Sequence, residues 1–417
     1  MRSGVVRAFG AVGGAIVLLG LIAGVATGAF GTGGKTTVNV GGVNSADAVD
    51  LGQGGRIVAG GSAVGSNFNF AAVQLDKFGD PDSSFSGDGE QTTDLGGFDV
   101  AHAVAALPDG GVLLAGVSDA VTGDFQAALV QYSSNGLPDP GFSEDGRLIP
   151  QFGGSDSRVE DMEMGFGGNA VLAGGIEPGK MLVFRVKPNG KVDRGFGTKS
   201  KTTIKFEEPS GAEAVEVKGD GRIVVGGTTS GPAMDDPSSL AIARLAPRGE
   251  LDESFSKNGK TTVSYPGSAR LDDLALAPDG RMIAVGTTTV GDHTEVALTA
   301  LKSNGKLDRS FGKGGKVTRD FGPDDGVSSV EIQGNGKIVI GGRAKSPTVD
   351  FLVARFTKNG KLDDSFSGNG FETTDFAGGG DVIQDIAIGR KDSIVAAGGG
   401  GSAFGFARYL KNGELDD

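Results

Sequence analysis

Short apolar runs and polar turns alternate along this chain from about residue 30 to its end. In the clearest stretch, Val100–Leu107 (VAHAVAAL), Val112–Val117 (VLLAGV) and Phe125–Tyr132 (FQAALVQY) follow one another, the first two separated by Pro108-Asp109-Gly110. Apolar runs of this length bounded by Gly, Pro, Asn and Asp read as β-strands. Asn135-Gly136 follows the third run, and similar pairs recur at Asn189-Gly190, Asp220-Gly221, Asp279-Gly280, Asn304-Gly305, Asn335-Gly336, Asn359-Gly360 and Asn412-Gly413. Both residues of such a pair tolerate positive φ, which a tight hairpin needs. A fourth run, as in Lys260–Ser264 (KTTVS), completes a four-strand unit. Helical periodicity is absent beyond the amino-terminal segment.

The units are marked by an Asp, two residues, a Phe and a Gly-rich turn. This motif stands at Asp82–Phe85, Asp139–Phe142, Asp193–Phe196, Asp252–Phe255, Asp308–Phe311 and Asp363–Phe366, with successive Phe residues 54 to 59 apart. A fixed period of this length marks a propeller or a solenoid. The chain closes on Leu415-Asp416-Asp417, the first half of the motif, and Phe30-Gly31-Thr32-Gly33-Gly34-Lys35 supplies the second half. Joined, they restore a seventh copy. A ring needs this split, whereas an open solenoid needs polar caps instead. The expectation is an all-β, seven-bladed β-propeller of four-stranded blades over residues 30–417, closed by its N-terminal strand joining the last blade. Its units run over 30–84, 85–141, 142–195, 196–254, 255–310, 311–365 and 366–417.

Two columns of the first strands test this alignment. One reads Val49, Val104, Met162, Val215, Leu274, Val330, Ile386, and two residues on, Leu51, Ala106, Met164, Val217, Leu276, Ile332, Ile388. Both are wholly apolar, as a strand buried between neighbouring sheets requires. At Asn335–Phe366 (NGKIVIGG, DFLVARF, NGKLDDSF) the pattern resembles the delta-60 repeat family of exported bacterial proteins. The resemblance covers the chain from Phe30 onward and implies a propeller-like repeat, not a reaction. Two units depart from it: Gly167-Gly168-Asn169 replaces Asp-Gly-Lys, and the Gly-rich turn after Phe196 is missing.

Composition narrows the class. Glycine reaches 76 of 417 residues without collagen periodicity, which fits a chain of many tight turns. There is no cysteine, which excludes disulfides, a thiolate zinc site and a lipid-modified cysteine anchor. Arg2 and Arg7 precede an uncharged run whose most apolar part is Ala15–Ala26, ending in Ala26-Thr27-Gly28-Ala29. A basic start, apolar centre and small-residue end describe a secretory signal peptide over residues 1–29, cleaved near Ala29, with an uncleaved anchor as the alternative. Removing those two positive charges from the formal −13 leaves −15 on the chain from Phe30. So acidic a body repels nucleic acid, whose binding needs clustered Lys and Arg. The expected protein is secreted or in the cell envelope, a monomer without a stable membrane anchor.

The chemistry is sparse. The motif Asp and Phe read as turn cap and inter-blade wedge. Arg185, Arg244, Arg355 and Arg408, replaced by Gln74, Gln131 and Ala300 in other units, read as partners for nearby carboxylates or carbonyls. His102 and His293 are the only histidines, and neither has the companions of a triad. No catalytic residue and no cofactor loop stands out. The column of His102 reads Asp47, His102, Glu160, Glu213, Asp272, Ser328, Gln384, with Asp50, Asp161, Glu163, Glu216, Asp273, Glu331 and Asp385 nearby. Carboxylates around one axis are either solvated or hold a hard cation, and Asp47, Glu160, Glu213 and Asp272 are the candidate Ca²⁺ ligands. The second-to-third connections vary most, from Glu177–Gly179 to Thr228–Ser239. In a propeller they share one rim with the fourth-to-first loops such as Phe321–Gly326, and Asp235, Asp236, Asp292, Asp324 and Asp325 make that rim irregular and acidic, the place where a protein or glycan partner would bind. Two function classes follow: a binding or scaffold module using that rim, and, as the alternative, an exported hydrolase or lyase using carboxylates at the channel mouth.

Overall fold

A computed structural model describes residues 28–42, 44–65, 67–121, 123–152, 156–231, 236–291, 293–323, 325–345, 348–376 and 380–417. The expected signal segment lies, but for Gly28 and Ala29, outside them. The chain forms seven four-stranded antiparallel sheets arranged as a β-propeller. The innermost strands of blades 1 to 7 are Asn44–Leu51, Asp99–Ala106, Asp161–Met164, Ser210–Val217, Ala269–Leu276, Gly326–Ile332 and Val382–Ile388. Six blades take consecutive strands. Blade 7 borrows Lys35–Val38 as its outer strand, which pairs antiparallel with Ala403–Tyr409 in the register Lys35↔Ala407 to Val38↔Phe404. Each repeat unit therefore donates its first strand to the preceding blade.

Apolar cores lie between blades. One packs Phe30, Val38, Val49 and Val73 against Val395 and Phe404, joining blade 7 to blade 1. The column Val49, Val104, Met162, Val215, Leu274, Val330 and Ile386 is buried. Two residues on, the second column is only half-buried, because the inter-blade cores end there. Where Asp-Gly-Lys is missing, Phe166–Gly168 makes a 3-10 turn with Gly167 and Gly168 at φ 72 and 73°. After Phe196 the turn is made with Gly197, Lys199 and Ser200 at positive φ.

The Asp–Phe motif is the joint between neighbours. The Asp side chain accepts the amide two residues on, as Asp139 does from Gly141 at 2.8 Å, and each motif Phe is buried. The next residue is Gly31, Ser86, Ser143, Gly197, Ser256, Gly312 or Ser367, all at φ 48 to 58°. That left-handed conformation turns its N–H to a carbonyl of the following blade: Phe78, Asn135, Asn189, Arg248, Asn304, Asn359 and Asn412 respectively, at 2.7 to 3.1 Å. The seventh bond, Gly31 to Phe78, runs from blade 7 to blade 1. Phe30 N–H also reaches Asp416 O at 2.9 Å, so the split motif is rejoined in space.

A guanidinium from the third strand reinforces four of these joints. Arg185, Arg244, Arg355 and Arg408 donate through Nε to Asp193, Asp252, Asp363 and Asp416, and lie over Phe196, Phe255, Phe366 and Phe30 at 4.8 to 5.0 Å. Nη1 of each reaches a carbonyl of the next blade, that of Pro247, Ser303, Lys411 or Lys77. In the unit with Ala300, Arg281 takes over from the residue just before the second strand, 3.4 Å from Asp308 and 2.9 Å from Lys358 O. In blade 2, Gln131 binds Asp139 at 2.7 Å, and a recess of about 430 Å³ lined by Gln131, Asp139, Phe142 and Pro188 opens beyond it.

Gln131→Arg should fill that recess and add a ring contact and a charge-assisted bond. The expected gain is about 1 kcal/mol, read as a higher urea midpoint at unchanged slope. The reverse change, Arg244→Gln, should lower the midpoint. Equal midpoints for wild type and Gln131→Arg would refute this account of the joint.

Candidate functional site

The geometry of the channel begins with a glycine in the second strand. A Cβ added to Gly61, Gly116, Gly174, Gly227, Gly286, Gly342 or Gly398 would lie only 1.9 to 2.1 Å from a carbonyl oxygen of the adjacent inner strand or, for Gly174, of Arg158 just before it. What presses on these glycines is a β-bulge. The inner-strand register shifts between Ala46 and Ala48, Ala101 and Ala103, Ala212 and Ala214, Leu271 and Asp273, Val327 and Ser329, and Ile383 and Asp385. The extra residues are Asp47, His102, Glu213, Asp272, Ser328 and Gln384, the polar column of the sequence; Glu160 precedes the short inner strand of blade 3. A bulge re-aims one side chain and disturbs the ladder beside it.

Three aspartates answer that disturbance. Asp161 accepts the amides of Met162 at 2.8 Å and, from blade 4, Val215 at 2.7 Å. Asp273 accepts Leu274 and, from blade 6, Val330 at 2.7 Å. Asp385 accepts Ile386 at 2.8 Å and, from blade 1, Val49 at 3.0 Å. Two oxygens per carboxylate serve two blades. Asp50 joins blades 1 and 2 one step lower, through Leu51 and Ala106. These acids are therefore scaffold. The sequence signal was present in the column Ala48, Ala103, Asp161, Ala214, Asp273, Ser329, Asp385, where Asp alternates with small residues over blades 3 to 7.

The bulged residues form a charged ring at the channel mouth. His102 Nδ1 lies 2.9 Å from Val159 O and 3.1 Å from Glu160. Arg270 lies 3.3 Å from Asp272 and 3.8 Å from Glu213. Burial raises the Glu213 carboxyl to about 7, with the Glu160 charge adding to it and Arg270 opposing. Burial also lifts Asp47 and Asp272 to about 6. For His102 burial acts downward, but the Glu160 hydrogen bond and the charges of Glu160 and Asp47 prevail and raise it to about 9. Among the described residues, the three acids whose carboxylate oxygens lie within 4.8 Å of one another are not in this ring but at Asp350, Asp375 and Asp381.

Beside the ring, between blades 3 and 4, opens a recess of about 510 Å³. Glu160, Glu213, Arg158, Lys180, Arg270 and the hydroxyl residues Thr228, Thr229, Ser230 and Ser238 line it. On its blade 3 side the recess is bordered by the short Glu177–Gly179 connection between Ala170–Ile176 and Lys180–Val186. Sequence reasoning found Glu160 and Glu213 but missed Arg158, Lys180 and Arg270, which sit at variable positions. Of the rim acids, Asp235, Asp292 and Asp324 lie outside the described residues, and Asp236 is exposed. Asp325 corrects the expectation of a partner-facing rim acid. It is only 2% exposed, because its carboxylate turns inward to accept Phe321 N–H at 2.7 Å.

Four stretches of the chain, residues 107–142, 218–255, 277–311 and 333–366, match the model of a family described as a β-propeller domain of unknown function. Together they make about a third of the chain, and each ends on a motif Phe. None of the curated proteins matches the chain. Among solved structures, Drosophila Semaphorin 2a is similar at a TM-score of 0.50 and 9% identity, over 90% of this chain and 75% of that one. An ulvan lyase, a polysaccharide lyase solved with bound saccharide, is similar at 0.51 and 10%, over 91% and 96%. Likeness at such identities is likeness of fold.

The His102–Glu160 pair predicts a pH dependence. An imidazole raised in the fold contributes stability in full below about pH 6.5, and the contribution is lost as pH rises to about 9. Glu213 acts at lower pH: its raised carboxyl lowers stability as pH rises from about 4.5 to about 7. Glu160→Gln should bring the His102 titration down towards the ordinary imidazole range in ¹H–¹⁵N NMR and flatten the alkaline limb of the melting curve. An unmoved His102 titration would break the assignment.

Proposed function

We propose that the chain is an exported binding module of the delta-60 repeat type, which takes a polar protein segment or glycan of the cell envelope on its irregular rim. The observation that carries this reading is the recess between blades 3 and 4. Its volume falls in the range of ligand sites, it stands on variable connections over a rigid ring, and its charged and hydroxyl groups converge on one space. Arg158, Lys180 and Arg270 would meet anionic or carbonyl groups, and the hydroxyl row would meet a ligand's polar edges. The basic start and apolar centre of residues 1–29 support export.

A second reading, an exported lyase or hydrolase, draws on one further feature. Glu213, lifted to about 7 beside Glu160 and Arg270, has the proton affinity of a general acid or base at neutral pH. The distinction is turnover. A catalyst consumes an envelope polysaccharide with a pH–rate limb near 7 that disappears in Glu213→Gln, and a binding module retains it unchanged.

Retention of the purified protein on immobilised envelope fractions tests the binding reading. Two variants should each weaken retention at least tenfold: Arg270→Ala, and one whose Glu177–Gly179 connection is replaced by the longer 228–239 segment. Protease treatment of the fraction then separates protein from glycan partners. Equal retention of wild type and both variants would exclude the recess as the binding site.

A further inference from the structure

At the rim end of the third strands one column differs between blades. In the repeat alignment it reads Phe68 and Phe125 in blades 1 and 2, Gly179 and Ser238 in blades 3 and 4, and no aromatic residue in blades 5 to 7. Two blades therefore carry a ring where the next two carry the small residues that border the recess. A third ring, Phe98, stands between the first two, on the connection that leads from blade 1 into the inner strand of blade 2. Its centre lies 4.5 Å from that of Phe68 and 5.8 Å from that of Phe125.

This row is open and held in place. Phe98 is 39% exposed, although its N–H is fixed on Asp119 at 2.7 Å, and Val121 in the adjoining connection of blade 2 is 56% exposed. Among the described residues these are the two large apolar side chains exposed on the irregular rim; Leu137, Phe166, Leu251 and Leu410 belong to the uniform turns of the opposite one. Contiguous apolar surface of this kind marks a binding face more often than scattered single residues do. The row also runs into the recess. Phe125 N–H donates to Asp156 at 3.0 Å and Phe125 O accepts Ser157 N–H at 2.8 Å, and Asp156 and Arg158 line the recess. One surface thus extends from blade 1 to blade 4.

The charges of the recess are unevenly engaged. Each of its carboxylates has a partner: Asp156 holds Phe125, Glu160 faces His102, Glu177 accepts Gly179 N–H at 3.2 Å, and Glu213 faces Arg270. Arg158 and Lys180 differ. Among the described residues neither forms an ion pair or donates a side-chain hydrogen bond. Ser210, on the same wall, is 7% exposed and its Oγ has no hydrogen-bond partner. Two unengaged cations in an acidic chain, next to an open aromatic row, fit a ligand that is anionic at one point and has flat apolar faces at another.

A pyranose combines these surfaces, because its C–H face rests on an aromatic ring while hydroxyls and any acid group project from its edge. A protein hot spot would instead seat an aromatic or arginine anchor in a desolvated pocket, and this row lies open. We propose, on the basis of the binding reading above, that the ligand is an anionic oligosaccharide. Its sugar faces lie on Phe68, Phe98 and Phe125, and its carboxylate or sulfate group reaches Arg158 and Lys180. The rings select a sugar, and the cations select an acidic one.

The chain has no tryptophan, so Phe98→Trp places a single fluorescent reporter in the row. Titration of this full-length variant uses three probes: a galacturonate hexasaccharide, a sulfated galactose hexasaccharide and a neutral galactose hexasaccharide. At least one anionic probe should shift the emission to the blue and bind about tenfold more tightly than the neutral one; which of the two does so separates carboxylate from sulfate recognition. Arg158→Ala combined with Lys180→Ala should abolish that preference. In calorimetry on the chain without the reporter, Phe98→Ala should weaken binding about fivefold, and Phe98→Tyr should restore it. If Phe98→Ala lowers the melting temperature, Phe98→Leu, which keeps apolar bulk without a flat face, reads the same loss. No binding of any probe at millimolar concentration, or equal binding of neutral and anionic probes, would overturn the proposal. Retention on envelope fractions that needs Arg270, survives Phe98→Ala and is destroyed by protease would overturn it alone: the partner would be a protein, and the binding reading would stand.

Discussion

One backbone conformation decides whether seven sheets become a ring. The residue after each motif Phe sits at φ 48 to 58°, and its N–H leaves its own blade to meet a carbonyl of the next. Three of the seven positions use Gly, for which the conformation costs little. Four use Ser, which accepts a strain of order 1 kcal/mol or more for the same bond. The Asx cap before the Phe, the buried ring of the Phe and the guanidinium laid over it all hold this one residue in place. The strands then follow from their apolar pattern, and the ring follows from the joint.

A second constraint, in the inner strands, produces the ring of polar residues around the axis. The bulge in six of the inner strands lies against a glycine that leaves it room, and it turns one extra side chain into the ring at the channel mouth. The disturbed ladder is repaired by carboxylates shared between blades, so acids near the axis divide into two groups. Asp161, Asp273 and Asp385 hold the scaffold, whereas Asp47, Glu160, Glu213 and Asp272 belong to the ring, and Glu160 and Glu213 also line the adjoining recess. That division lets an acidic propeller combine a hydrogen-bonded centre with titratable groups at the mouth of the ring.

The fold was legible in the sequence because its signals are local and repeat: strand, Asn-Gly turn, Asp and Phe at one spacing, and the split copy at Phe30 and Asp416. The site was legible only in part. Asp47, Glu160, Glu213 and Asp272 fell in one column, but a period-2 reading gives no hint that this column is the product of a bulge. Arg158 and Arg270 escaped notice because they differ from unit to unit. Asp325 was misplaced because a run of acids in a Gly- and Pro-containing loop looks solvated, and the capping bond to Phe321 that buries it depends on loop geometry. Composition marks acids; it does not say which of their oxygens face inward.

Native-state hydrogen exchange resolved at the amides of Gly31, Ser86, Ser143, Gly197, Ser256, Gly312 and Ser367 tests the central claim most directly. All seven should exchange only through global or whole-blade unfolding, with opening free energies near that of the whole chain. The Gly31 amide, which closes blade 7 on blade 1, should be as protected as the rest. Rapid exchange at these positions under conditions that keep the strands protected would mean that the ring holds without the joint, and the account would fail.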